Sequence, residues 1–220
     1  MIDLHTHSIL SDGVLIPLEL ARRAQQKGYE ILGISDHVDI TNVEHVVSSI
    51  LKLRDQTGYH EGIRLIPGVE ITHSPVQLLS TIVRQTRRLG IGYVVVHGET
   101  IAEPVEPGTN RAAIEAGVDI LAHPGLISEE EVYRAKEKGV LLEISARKGH
   151  SLTNGHVARL AKKAGAKLIF DTDSHEPSDL VDNNQALRIV LGAGLSAEDF
   201  EIMQNNAMEL VNTIKRRRTK

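Results

Sequence analysis

The feature that most limits the fold of this chain is a junction that recurs along it. A polar or basic helix end runs into glycine, then into a short apolar run. It occurs at Lys27-Gly28 before Ile31–Ile34, at Leu89-Gly90 before Tyr93–Val96 and at Ala116-Gly117 before Val118–Leu121. It returns at Lys138-Gly139 before Val140–Leu142 and at Ala164-Gly165 before Leu168–Phe170. Glycine past a helix end tolerates the left-handed turn that closes it, and lysine in the last turn suits the helix dipole. With Ile2–Leu4 and Ile63–Ile66 this makes seven short strands. The spacers read as helices over Pro17–Lys27, Val43–Gln56, Val76–Leu89, Arg111–Ala116, Ser128–Lys138 and Val157–Ala164. Strict alternation implies parallel strands with right-handed crossovers. The expected fold is α/β, a seven-stranded (β/α)7 TIM-like barrel, with an open doubly wound sheet as the alternative. No linker divides the sequence, so residues 1–220 are read as one domain. Two helices within 181–216, Asn184–Leu191 and Ala197–Arg216, close it.

The polar residues fall at one end of those strands. The first ends in His5-Thr6-His7, the second runs into Asp36-His37, the third into Glu70, the fourth into His97 and the fifth into His123. The seventh runs into Asp171-Thr172-Asp173-Ser174-His175. In a parallel barrel this C-terminal end is the face on which active sites are built. Residues i and i+2 of a strand share a face, so His5 and His7 point together. A single histidine here would be an ordinary hydrogen-bonded residue; six strand ends converging by accident is far less plausible.

Composition narrows the chemistry. Eleven histidines outnumber the four tyrosines and two phenylalanines combined, and cysteine is absent. That excludes disulfides, thiolate metal sites and a cysteine nucleophile. Hydrophobic residues at 41% supply a core and exclude disorder as the main state. A net charge of −4 gives no global attraction for nucleic acid. No apolar run is long enough for a membrane span, and Met1–His5 does not open like a signal peptide, so a cytoplasmic protein is expected. The tail Lys215–Lys220 reads as a solvated terminus. Imidazole with carboxylate suits Zn, Mn or Fe, and the donors outnumber those one tetrahedral ion takes; two or three divalent ions are expected.

These segments together resemble the PHP family, named for polymerase and histidinol phosphatase. The motifs are Asp3-Leu-His5-Thr-His7-Ser with Ser11-Asp12-Gly13, Ser35-Asp36-His37, Pro67-Gly-Val-Glu70, Val96-His97-Gly98, Ala122-His123-Pro124-Gly125 and Asp173-Ser174-His175. Residues Glu143–His150 and Thr153–Val157, and Val96–Thr100 with Glu103–Asn110, are similar to the short, histidinol-phosphatase-like branch. The resemblance implies a distorted seven-stranded barrel, three metals and phosphoester hydrolysis. One metal would take His5, His7, Glu70 and Asp173, a second Glu70, His97 and His123, and a third Asp12, His37 and His175. Asp12 is either a ligand or a helix cap.

The expected function is a small-molecule phosphomonoesterase using metal-activated water, with no protein nucleophile. The alternatives are a phosphodiesterase or exonuclease on nucleic acid, or a non-catalytic metal-binding partner subunit. Few aromatics and negative net charge weigh against the nucleic-acid reading.

On the rim, Arg147 would pair with substrate phosphate or be an ordinary loop arginine. His150 and His156 could serve a leaving group or orient substrate, although His156 reads better as part of a helix's first turn. Asp36 and Asp171 could orient imidazoles, Glu143 could enter the barrel, and His73 could reach the rim. Glu99 and Asn110 would contact substrate or stiffen their loop. His45 and His60 read as ordinary residues.

Overall fold

A computed structural model describes residues 1–55 and 62–218; His60 and the end of the helix expected over Val43–Gln56 lie outside them. The elements are β1 (Ile2–Asp3), α1 (Pro17–Gln26), β2 (Ile31–Ile34), β3 (His37–Val38), α2 (Val43–Ile50) and β4 (Arg64–Ile71). Then come α3 (Val76–Arg88), β5 (Tyr93–His97), α4 (Thr109–Ala116), β6 (Ile120–Ala122), α5 (Glu129–Lys138) and β7 (Leu141–Ser145). The chain ends with α6 (Asn154–Ala164), β8 (Leu168–Asp171), α7 (Asn183–Gly192) and α8 (Ala197–Arg218). The strands pair in parallel in the order β1-β2-β4-β5-β6-β7-β8, with the two-residue β3 beside β4. This is the expected seven-stranded barrel, nearly closed. Between β8 and β1 the junction is made by a Thr6–Ser174 bridge and by His7 N donating to Ser174 O at 2.8 Å. Side chains add Leu4 N to Asp171 Oδ1 at 2.6 Å and Thr172 Oγ1 to Asp3 Oδ2.

One strand departs from the sequence reading. The third was expected over Ile63–Ile66, yet β4 runs on to Ile71. Proline at a point where no ladder donor is needed is tolerated, and glycine marks a close approach. A Cβ on Gly68 or Gly33 would overlap the Tyr93 ring, which fills the space between them. Tyr93 is wholly buried, and its hydroxyl donates to Leu4 O at 2.6 Å. Glu70 therefore sits inside a strand and projects from its inner face.

Two apolar layers follow from strand alternation. The outward residues, including Leu32, Val69, Val94, Val96, Leu121 and Phe170, pack against the helices. The inward ones, including Leu4, Ile66, Tyr93, Val95 and Ile169, form a barrel interior together with Ala207, Leu210, Val211 and Ile214 of α8. Helix α8 covers the N-terminal end of the barrel: Gln204 exchanges hydrogen bonds with Ile2 at 2.7 and 3.1 Å, and Asn206 donates to Leu168 O at 2.8 Å. Helix α8 carries the basic tail as far as Arg218 with Lys215, Arg216 and Arg217 exposed, and Arg217 pairs with Asp119 at 3.0 Å. Helix α5 starts on a capping box of Ser128 and Glu131, as its spacing implies. No helix among the described residues is long and apolar enough to cross a membrane.

Candidate metal centre

With α8 over one end, the C-terminal end of the barrel holds the titratable side chains. His5 and His7, two residues apart after β1, are fully buried and face the axis. Their Nε2 atoms lie 3.3 and 3.6 Å from Glu70 Oε2 and 3.7 and 3.2 Å from Asp173 Oδ1. His123 Nε2 approaches Glu70 Oε1 and Asp173 Oδ2, both at 3.7 Å. The pairing of β3 with β4 sets His37 beside Glu70, with 2.8 Å between Nδ1 and Oε2. Nearer solvent, Asp12 Oδ1 lies 3.1 Å from His175 Nε2 and 3.4 Å from His37 Nε2, and those nitrogens are 3.4 Å apart. Asp12 caps no helix, since α1 starts after Ile16.

These separations carry chemical meaning. Ligands about 2.05 Å from a tetrahedral zinc ion are about 3.3 Å from one another. Both Nε2 and Nδ1 of His7 and of His123, Nε2 of His5 and both oxygens of Glu70 are buried with no hydrogen-bond partner of good geometry. Buried polar atoms are normally satisfied, so a cluster of such atoms at ligand spacing fits divalent ions. Protons partly stand in for such charge. Burial opposes charge on His5, but the Glu70 and Glu143 carboxylates outweigh it and lift it well above the usual range. Burial likewise opposes charge on His37, and Glu70 with Asp12 lifts it to about 10. Burial raises Asp173 to about 7, and burial with neighbouring imidazoles holds His7 and His123 neutral.

The second expected set, Glu70, His97 and His123, is drawn together less closely. Among the described residues no ion pair within 4.0 Å joins His97 to Glu70; His97 Nε2 instead lies 3.1 Å from Glu103 Oε2. His150 stacks on His123 with ring centroids 4.0 Å apart, and His97, His123 and His150 form a group of possible ligands. Thr100 Oγ1 lies 2.7 Å from His150 Nδ1. Arg147 reaches the mouth, but Nη1 donates to Asp173 O at 3.1 Å and sits 2.7 Å from His175 Nδ1. Arg147 and His150 line a cavity of about 350 Å³ together with Asp12, His37, His97, Asp173 and His175.

Other rim expectations resolve differently. Asp36 accepts from Ser8 and Ser11, and Asp171 from Leu4 N, so neither touches an imidazole through a hydrogen bond. That task falls to Glu143, whose Oε1 is 2.6 Å from His5 Nδ1 while Oε2 accepts from His123 N. A carboxylate on one ring nitrogen fixes the other for a metal. Thr72 Oγ1 contacts His37 Nδ1 in the same way at 2.5 Å. Glu99 and Asn110 bond to each other's backbone and stiffen the loop. His156 lies in α6 and bonds Ile127 O at 2.8 Å, away from the cavity, and His45 is exposed on α2. Glu103 received no site role from the sequence: in a Pro/Gly-rich loop no periodicity tells where a side chain points.

The chain is similar to known proteins in sequence and fold. A model of the PHP domain matches residues 3–169. A protein of Methanocaldococcus jannaschii, described as uncharacterised, is 42% identical over 201 residues, covering 90% of this chain and 92% of its own. A probable phosphatase of Thermoanaerobacter sp. is 28% identical over 90% of this chain and 88% of its own. Among solved structures, the histidinol phosphate phosphatase of Lactococcus lactis complexed with zinc, L-histidinol and phosphate superposes with a TM-score of 0.61 at 17% identity, covering 88% of this chain and 94% of that one. A chain of an archaeal ribonuclease P with mature tRNA gives 0.65, also at 17%, over 96% and 90%. At such identity the likeness is one of fold.

Proposed function

The chain belongs to the PHP domain family and is a phosphatase-like hydrolase, and from that premise we propose that it releases phosphate from a small phosphomonoester at the mouth of its barrel. One observation carries the reading: nine side chains able to bind metal, from widely separated segments, meet at one barrel end, and His5, His7, Glu70 and His123 among them keep buried donor atoms unpaired. In this reading His5, His7, Glu70 and Asp173 hold the innermost ion, His97 and His123 hold a second with Glu70, and Asp12, His37 and His175 hold the outermost. Zn, Mn or Fe suits these donors, and such ions supply an activated water and neutralise phosphoryl charge.

The protein's own groups supply position. Glu143 fixes the His5 ring, and Thr72 fixes His37. Arg147 keeps its planar guanidinium at the cavity wall, where N–H groups beyond those on Asp173 and His175 can meet a phosphate oxygen. His150, held by Thr100, lies across the mouth to orient the substrate. Burial, with His97 nearby, lowers His150 to about 4, so its ring is neutral. A cavity of about 350 Å³ suits a small substrate better than a polymer.

The test is phosphate release from a panel of sugar, amino-alcohol and nucleoside monophosphates, with Mn, Zn or Fe supplied. Release from at least one monoester supports the reading. No release from any, by protein shown to hold its metals, overturns it, and faster cleavage of oligonucleotides redirects it to phosphodiesters.

A further inference from the structure

A histidine that binds a metal through Nε2 carries its proton on Nδ1, and that N–H then donates to an acceptor. His5 and His97 are placed for this: Nδ1 faces Glu143 Oε1 at 2.6 Å in the first and Gly98 O at 3.2 Å in the second. His175 departs from the pattern. Its Nδ1 lies 2.7 Å from Arg147 Nη1, and a guanidinium can only donate. With Nδ1 accepting, the proton of the ring sits on Nε2, which donates to Asp12 Oδ1 at 3.1 Å. The lone pair of His175 thus faces Arg147, and its N–H faces the site that Asp12, His37 and His175 form.

The opposite arrangement is available within the same two loops. His175 Nδ1 is also 3.0 Å from Asp173 O, an acceptor ready for an N–H. Arg147 has another partner, since its Nη1 is 3.6 Å from Asp179 Oδ2, and its side chain borders the cavity of about 350 Å³. Passing from one arrangement to the other moves the ring proton from Nε2 to Nδ1 through solvent, with none gained or lost overall.

We propose that Arg147 is a positioning residue that competes with the outer ion for His175. Its bond to Nδ1 and an ion on Nε2 exclude each other, so loading of the Asp12–His37–His175 site turns Arg147 away from the ring, toward the cavity and a phosphate group there. The inference rests on the reading that these three residues hold an ion. It adds that phosphate and the outer ion favour each other's binding through Arg147.

The test compares wild type with Arg147→Met, chelated and Zn-loaded, with circular dichroism checking the fold. Proton–nitrogen correlation NMR reads which nitrogen of His175 carries the proton, its signal assigned by loss in His175→Gln. Equilibrium dialysis gives the affinity for each ion. In chelated wild type the proton should lie on Nε2, and after loading on Nδ1. In chelated Arg147→Met it should already lie on Nδ1. One equivalent of Zn should then bind roughly tenfold more tightly, the scale of one charge-assisted hydrogen bond, and inorganic phosphate more weakly. Any other position of the proton, an unchanged Zn affinity, or equal tightening of every ion, which is the loss of a charge alone, overturns the proposal. If the proton and affinities behave as expected but no monoester is cleaved, the phosphatase reading alone falls. A wild-type protein that binds no Zn overturns both.

Discussion

The two ends of this barrel are made from the same strands and solve opposite problems. At the N-terminal end the interior is apolar and its polar groups are paired: Tyr93 with Leu4 O, and Asp119 with Arg87, Arg217 and Val94 N. At the C-terminal end, a few residues along each strand, buried imidazole and carboxylate atoms go without partners. The first arrangement is what stability favours; the second costs stability unless cations arrive. The contrast locates function: one end holds the barrel together, and the other is kept ready for charge.

Substitutions at the two ends should therefore have separable consequences. The largest is expected for Glu70→Gln, which removes the carboxylate facing His5, His7, His37 and His123. Phosphate release should fall by about 10³-fold or more, with circular dichroism and the melting point of the chelated protein nearly unchanged. A comparable loss of fold would erase the distinction. Ile214→Ala, at the other end, leaves a void beneath the barrel and should cost roughly 2–4 kcal/mol in denaturant unfolding. Its metal stoichiometry should stay that of wild type. A smaller effect sharpens the metal side. His37 must lose its proton to bind an ion, and without metal its proton is held to about pH 10. Affinity at the Asp12–His37–His175 site should therefore rise with pH, by up to about tenfold per unit until that value. Calorimetry in buffers of different ionisation enthalpy at pH 8 should show proton release, and a smaller release in His37→Gln, with that from His5 remaining, assigns the His37 share. Ser128→Ala, on an exposed helix start outside the cavity lining, should lose only about 1 kcal/mol through the capping box, with activity unaltered.

What the sequence disclosed followed from short-range rules. Glycine after helix ends located most strands, and ligands on or next to strands could be placed because strand geometry fixes direction: His5 with His7 is the clearest case. Reading failed where a local signal competed with tertiary packing. The third strand was expected to span only Ile63–Ile66, but the Tyr93 ring needs Gly68 within the strand, and no local pattern shows a ring arriving from the neighbouring strand. Asp36 and Asp171 stand beside ligands in sequence yet bond elsewhere, while Glu143, expected to enter the barrel, takes the task of orienting His5 from β7, two strands from β1. Glu103 was hidden for the same reason, since its partners belong to other loops.

The junction between β8 and β1 has a consequence for how the protein is made. His5, His7 and Asp12 leave the ribosome early, whereas Asp173 and His175 follow only after the last strand. Ions bridging these residues could be captured only by a chain whose synthesis has passed that strand. Each would then tie together positions separated by almost the whole barrel, where closing so long a loop is otherwise opposed by entropy. Metal loading would thus act as a late checkpoint, favouring finished molecules over nascent ones and fastening the one place where strand pairing is thinnest.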